Sequence, residues 1–178
     1  MIERVPSEGA AGPPAGTVIR SIRPSDAAGL RGFHARLSDD TIRNRFFGPH
    51  AVLPEAEVRR FTSLSPESEV ALVATIGEDI VGVGRSIRLG GSDAAEVAFV
   101  IQDGYQGRGL GTALLTRLAG IARADGIHRF VADTFATNRP MLDVFMHTPA
   151  VAVTGTRRDG SVVHLVMDVQ PAVNQLRV

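Results

Sequence analysis

Residues 94–118 decide the reading. Ala94-Ala95-Glu96-Val97-Ala98-Phe99-Val100-Ile101 is an apolar run broken by one carboxylate, and Gln106-Gly107-Arg108-Gly109-Leu110-Gly111-Thr112 is glycine-rich. Beyond them Leu114, Leu118, Ile121 and Ala122 recur at helical spacing up to Gly126, where a C-terminal cap belongs. The succession is a buried strand, a tight turn and the longest helix of the chain. Glycines let the backbone approach a ligand closely, and the first N–H groups of a helix lack internal partners and point at an anion. A phosphate or pyrophosphate is the guest such a turn suits. The helix dipole favours it by roughly 0.3 to 1 kcal/mol per charge, and Arg108 offers a charge-assisted contact at the rim.

Working outward, Val70–Ile76 and Ile80–Ile87 flank Gly77-Glu78-Asp79 and predict a hairpin leading through Gly90-Gly91-Ser92-Asp93 into the apolar strand. Upstream, a short strand around Val18–Ile22 precedes Pro24-Ser25-Asp26 and a helix to about Leu37. Ser38 caps a second helix that Gly48-Pro49 ends, and Pro54-Glu55 starts a third. Downstream, Arg129–Phe135 reads as a strand, Asn138–His147 as a helix, and Val151–Thr156 with Val162–Val169 as a hairpin around Asp159-Gly160. The expected fold class is α/β (α+β), a mixed sheet flanked by helices in one domain over residues 17–170. The Gly/Ala/Pro-rich residues 1–16 and residues 171–178 are expected to be tails.

Composition removes several functions. The 178 residues carry 19 acidic and 19 basic side chains, so the basic excess that attracts nucleic acid or an anionic membrane is missing. No apolar run approaches a membrane span and no secretory leader is visible, so a cytoplasmic address is expected. Cysteine is absent, which excludes disulfides and thiolate nucleophiles. All the basic residues are arginine, so Schiff-base chemistry and a Walker loop are excluded as well. A dinucleotide fingerprint would need its third glycine at Thr112, and fails. The five histidines have no metal-ligand spacing, so no metal is expected and all five read as structural or surface residues.

What remains is a Gln-x-x-Gly-x-Gly pattern, Gln106 to Gly111, and here the chain resembles the GNAT superfamily of N-acetyltransferases over roughly residues 17–169. The resemblance implies acetyl-CoA as cosubstrate, held by a splayed central strand pair in a mostly antiparallel sheet. It assigns the pantetheine to the backbone of Phe99, Val100 and Ile101, pairing like an added strand. The pyrophosphate falls to Gln106, Gly107, Arg108, Gly109, Leu110, Gly111 and Thr112, and the cofactor arm to Asn138, Met141 and Phe145. Read locally, Asn138 with Pro140 is also an ordinary helix start. Arg23-Pro24-Ser25-Asp26, Arg45-Phe46-Phe47, Ala95–Phe99 and Asn138–Leu142 are similar to the catalytic domain of bacterial Pat-type protein-lysine acetyltransferases. That implies a protein lysine as acceptor, for instance on an acyl-CoA synthetase, with a small amine or non-catalytic acyl-CoA binding as the alternatives.

Amine acetylation needs a free lone pair, and a lysine of pKa about 10.4 carries a handicap of about 4.6 kcal/mol at pH 7. Glu96, the carboxylate inside the apolar strand, is the expected general base: partial desolvation there would raise its pKa, and Pat-type enzymes use a glutamate at the matching position. Glu69 and Asp133 are the alternative bases. Arg43, Arg45 and Phe47 are expected near the acceptor groove, or simply packed on the sheet. The sequence departs from the family twice. Val144-Phe145 stands where many members carry a tyrosine acid, so water or no acid is expected, and Thr148-Pro149-Ala150 replaces the usual Gly-Phe after the late helix.

Overall fold

A computed structural model describes residues 12–65 and 67–171; residues 1–11 and 172–178 of the two expected tails lie outside the described residues. The strands are β1 (Thr17–Ser21), β2 (Glu69–Ile76), β3 (Asp79–Arg88), β4 (Ala94–Ile101), β5 (Arg129–Phe135), β6 (Val151–Asp159) and β7 (Val162–Val169). The helices are α1 (Ala27–Ala35), α2 (Asp39–Phe46), α3 (Glu55–Thr62), α4 (Leu110–Ala124) and α5 (Arg139–His147). The expected order of elements is present throughout. Only α1 stops early: the N–H groups of Arg36 and Leu37 donate to Phe33 and His34, three residues back, so its last turn tightens and closes. No helix among the described residues is long and apolar enough to cross a membrane.

All seven strands form one sheet in the order β1-β2-β3-β4-β5-β7-β6. Every neighbouring pair is antiparallel except β4 and β5, which run parallel. That parallel ladder holds only Ala94↔Arg129, Ala95↔Phe130 and Glu96↔Val131, after which the strands separate. The mixed α/β class with a mostly antiparallel sheet is therefore established, and its one interruption lies beside the glycine turn.

Strand alternation divides the core between the two faces. Val97, Phe99 and Ile101 of β4, with Phe130 and Ala132 of β5, pack against Leu114, Leu115 and Leu118 of α4 and Phe145 of α5. Val100 instead joins Phe33 of α1, Ile42 of α2 and Val58 of α3 on the opposite face. Glycines on β3 make the first packing possible. A Cβ on Gly84 would lie 3.0 Å from the Phe99 ring and one on Gly82 2.8 Å from Ile101 Cδ1, with Leu118 and Leu114 close behind.

His34 sits in the second core, 5 % exposed, edge-on to Phe46 and His50. Burial lowers its pKa, the neighbouring His50 lowers it further, and Glu57 acts the other way. The folded protein therefore binds this proton less readily than the unfolded chain, whose imidazole titrates near 6.5. The stability this contributes is fully present above that value and is lost as pH falls through the folded pKa. We expect the urea midpoint to fall on acidification below about pH 6.5, and His34→Phe to flatten that dependence. An unchanged slope in the variant would assign it to other groups.

The unusual Thr148-Pro149-Ala150 segment leaves β6 in place. Both the N–H and the hydroxyl of Thr148 donate to the Val144 carbonyl, at 3.1 and 2.6 Å, closing α5 where a glycine would otherwise serve.

Candidate functional site

The parting of β4 from β5 opens a groove of about 700 Å³, walled by β4 from Glu96 to Ile101, the glycine turn, Asp133 and Thr134 of β5, one face of α5 and the end of α2. Gly107 (φ 70°) and Gly109 (φ 75°) occupy the left-handed region, which a side chain would strain. Gly109 is the N-cap of α4, whose first four-residue bond runs from the Ala113 N–H to the Gly109 carbonyl at 3.0 Å. The N–H groups of Leu110, Gly111 and Thr112 precede that bond, and these residues line the groove. The mouth is a nest of donors suited to an anion. Gly111 has a second reason for being glycine: a Cβ there would lie 2.9 Å from Val144 Cγ2, so it sets the close approach of α4 to α5.

The side chain of Gln106 braces the site. Its Nε2 donates to the Ile101 carbonyl at 3.0 Å and to Thr41 Oγ1 at 3.1 Å. Thr41 in turn donates to Asp103, which also accepts from the N–H and hydroxyl of Ser38. Burial pushes the Asp103 carboxyl up, but these hydrogen bonds outweigh it and hold the pKa below the usual carboxylate range. The start of α2 is thereby tied to the glycine turn.

Phe99, Val100, Ile101, Gln106, Gly107, Gly109, Leu110, Gly111, Thr112, Asn138, Met141 and Phe145 all line the groove. Arg108 does not: its guanidinium stands 5.8 Å from the Tyr105 ring, outside the wall. The local reading of Asn138 is present too, since its Oδ1 accepts from the Met141 N–H at 3.3 Å as a helix cap. Thr134 is a lining residue the sequence did not single out, and its buried hydroxyl has no partner among the described residues.

Glu96 lines the groove, but the expected desolvation is absent. Its neighbours Ala95 and Val97 are buried while Glu96 is exposed, because alternation turns it to the sheet face opposite α4, at the last rung before β5 parts from β4. Arg45 of α2 lies near enough to feel its charge. Burial lowers the Arg45 pKa, Arg85 lowers it further, and Glu96 partly offsets both. Of the alternative bases, Glu69 is bound to Arg85 at 3.0 Å and is not part of the groove wall. Asp133 is in the wall and accepts from His164 Nδ1 at 2.7 Å, a partnership across β5 and β7 that the sequence reading missed.

Of the three residues expected near the acceptor, Arg45 and Phe47 line the groove, whereas Arg43 lies over the Phe135 ring at 5.8 Å. Phe47 ends α2 in the left-handed region (φ 58°), a strained conformation for a bulky residue, and packs on Phe135 of β5 at 5.0 Å. This contact bridges the open strand pair.

Comparison with known proteins agrees with this geometry. Residues 37–147 match the model of the acetyltransferase (GNAT) family. The chain is 31 % identical over 131 residues to acetyltransferase PA5475 of Pseudomonas aeruginosa, covering 71 % of this chain and 70 % of the relative. It is 37 % identical over 93 residues to acetyltransferase Pat of Mycolicibacterium smegmatis, covering 52 % of this chain but only 27 % of that protein. The GNAT domain of S. lividans PAT superposes with a TM-score of 0.78 at 37 % identity, over 85 % of this chain and 89 % of the domain. A turn of left-handed glycines before α4, a splayed parallel pair and a match over most of the chain have one explanation: the chain belongs to the GNAT family of acetyltransferases.

Proposed function

We propose that this chain transfers the acetyl group of acetyl-CoA to the ε-amino group of a lysine in a protein substrate, with Glu96 as general base. The observation that carries the reading is the groove itself. A single opening in the sheet joins a helix N-terminus suited to a pyrophosphate, a strand edge suited to an amide-bearing arm, and the exposed carboxylate of Glu96 on the strand that would hold the thioester. The likeness to the S. lividans PAT domain agrees with the Pat-type resemblance of the sequence, which implies a protein lysine as acceptor and an acyl-CoA synthetase as the first candidate.

The residues present fit the cosubstrate. The Leu110, Gly111 and Thr112 N–H groups would hold the pyrophosphate, and the β5-facing edge of Phe99–Ile101, which has no strand partner among the described residues, would pair with the pantetheine amides. A backbone N–H of that same edge would stabilise the oxyanion. Glu96 would accept the proton of the incoming ammonium, directly or through water. Nitrogen then bonds to the acetyl carbon, the carbon–sulfur bond breaks, and its electron pair leaves on sulfur. No tyrosine lies on α5 to protonate the thiolate; the nitrogen, acidified by the attack, gives up its second proton, which passes through water to the departing sulfur.

The test is transfer from isotopically labelled acetyl-CoA, read by intact mass and peptide mapping, with an acyl-CoA synthetase offered beside a panel of small amines. Every acetyl-lysine found belongs to the substrate, because the chain contains no lysine. Labelling of one synthetase lysine is the expected result. Labelling of small amines alone would replace the acceptor, and binding of acetyl-CoA without transfer to any acceptor would replace the activity.

A further inference from the structure

Resting on that reading, we infer that Asp133, held by His164, anchors the cationic acceptor amine and so selects charged amines over neutral ones. Phe130 and Ala132 face α4 and α5, so alternation turns Val131, Asp133 and Phe135 to the opposite face, where Phe135 meets Phe47 of α2. Glu96 faces the same way, since Val97, Phe99 and Ile101 belong to the α4 side and Val100 to the other. The donors for the anion lie at the N-terminus of α4. The two carboxylates therefore share the face from which an acceptor reaches the opening, away from the helix that would hold the pyrophosphate.

Register places them on either side of that opening. Glu96 is paired with Val131, and Asp133 is two residues further along β5, just past the last rung of the ladder. Their surroundings differ. Glu96 has the Arg45 charge beside it. Asp133 makes no ion pair with any arginine among the described residues, and its one bond is accepted by Oδ1 from His164. Oδ2 receives no bond from a described residue, and the side chain is 53 % exposed at the groove wall. A carboxylate fixed through one oxygen, with the other open to a groove, is arranged to accept from a substrate ammonium.

Such an anchor stabilises the amine as the cation, which is the form that cannot attack. Its contribution is consequently to ground-state binding, and proton removal stays with Glu96. The signature is a change in KM, with kcat not reduced. His164 is a positioning residue: it touches Asp133 and fixes the carboxylate through its Nδ1–H.

The experiment compares two acceptors with wild-type protein, Asp133→Asn and Asp133→Glu: Nα-acetyl-lysine amide, cationic at neutral pH, and hydroxylamine, neutral there. For Asp133→Asn, KM for the lysine amide is expected to rise roughly 10- to 100-fold, the loss of one charge-assisted hydrogen bond. The ratio of kcat/KM for the cationic over the neutral amine should fall by the same factor, and Asp133→Glu should restore part of it. A purely structural role would move both acceptors together and leave that ratio fixed, which overturns the anchor. Wild-type protein that labels a synthetase lysine but neither amine overturns an anchor that selects by amine charge alone, and wild-type protein that labels no acceptor at all overturns the acetyltransferase reading and the anchor with it. Wild-type protein that acetylates both, beside a variant with the same ratio, overturns the anchor alone.

Discussion

Glu96→Gln is expected to lower kcat for lysine acetylation roughly 10²- to 10⁴-fold while leaving acetyl-CoA affinity within about threefold. The range corresponds to about 2.7 to 5.4 kcal/mol and brackets the handicap of about 4.6 kcal/mol that an ammonium carries at pH 7. Glutamine keeps the size and exposure of the residue, so the fold should tolerate it. What it removes is the acceptor for the amine proton. The variant's rate should accordingly climb with pH as the free amine becomes available without help, narrowing the gap to wild type at alkaline pH. Because Glu96 is exposed at the opening, a water between carboxylate and amine can carry the proton, and the base needs no enclosed pocket to work. A kcat within threefold of wild type at neutral pH would remove Glu96 from the mechanism and return attention to Asp133 and Asp143, the other carboxylates in the groove wall.

The elements themselves were legible because each carries a local signature. Alternation marked the hairpins, Ser38 and Asn138 marked helix starts, and both side chains cap as expected. Gly107 and Gly109 were readable as a ligand turn because only glycine is comfortable at their dihedrals. Pairing between distant strands was not legible. A run such as Ala95-Glu96-Val97 shows which residues share a face, yet not whether a neighbouring strand will cover it. Desolvation of Glu96 was expected from its apolar neighbours, yet its side chain is exposed on the sheet face opposite α4, at the last rung of the ladder to β5. The Asp133–His164 bond likewise depends on the β5–β7 register, in which the two residues are direct partners. Arg108 lies in the motif, but its place over the ring of Tyr105, itself in the groove wall, could not be read from the sequence.

Glu69 and Arg85 make the same point with a larger energetic consequence. Sixteen residues apart, they meet because the β2–β3 hairpin brings Arg85 Nη2 to Glu69 Oε2 at 3.0 Å. Arg85 is 5 % exposed, its guanidinium lies 4.8 Å from the Phe61 ring, and neither Nε nor Nη1 has a partner among the described residues. Burial lowers its pKa and Glu69 acts to restore it. Arginine does not give up its proton in practice, so removal of Glu69 strands a buried cation. Glu69→Leu is expected to cost about 3 kcal/mol, at the low end for a broken buried pair because Glu69 itself keeps some solvent contact. Arg85→Met should cost less, since the carboxylate left behind is the more exposed partner. The double variant should return to within about 1 kcal/mol of wild type, because apolar side chains of similar size replace a charged pair with little loss. Urea denaturation of the four proteins tests this, and equal costs for the two single variants with simple additivity in the double would refute the pairing as a stabilising unit.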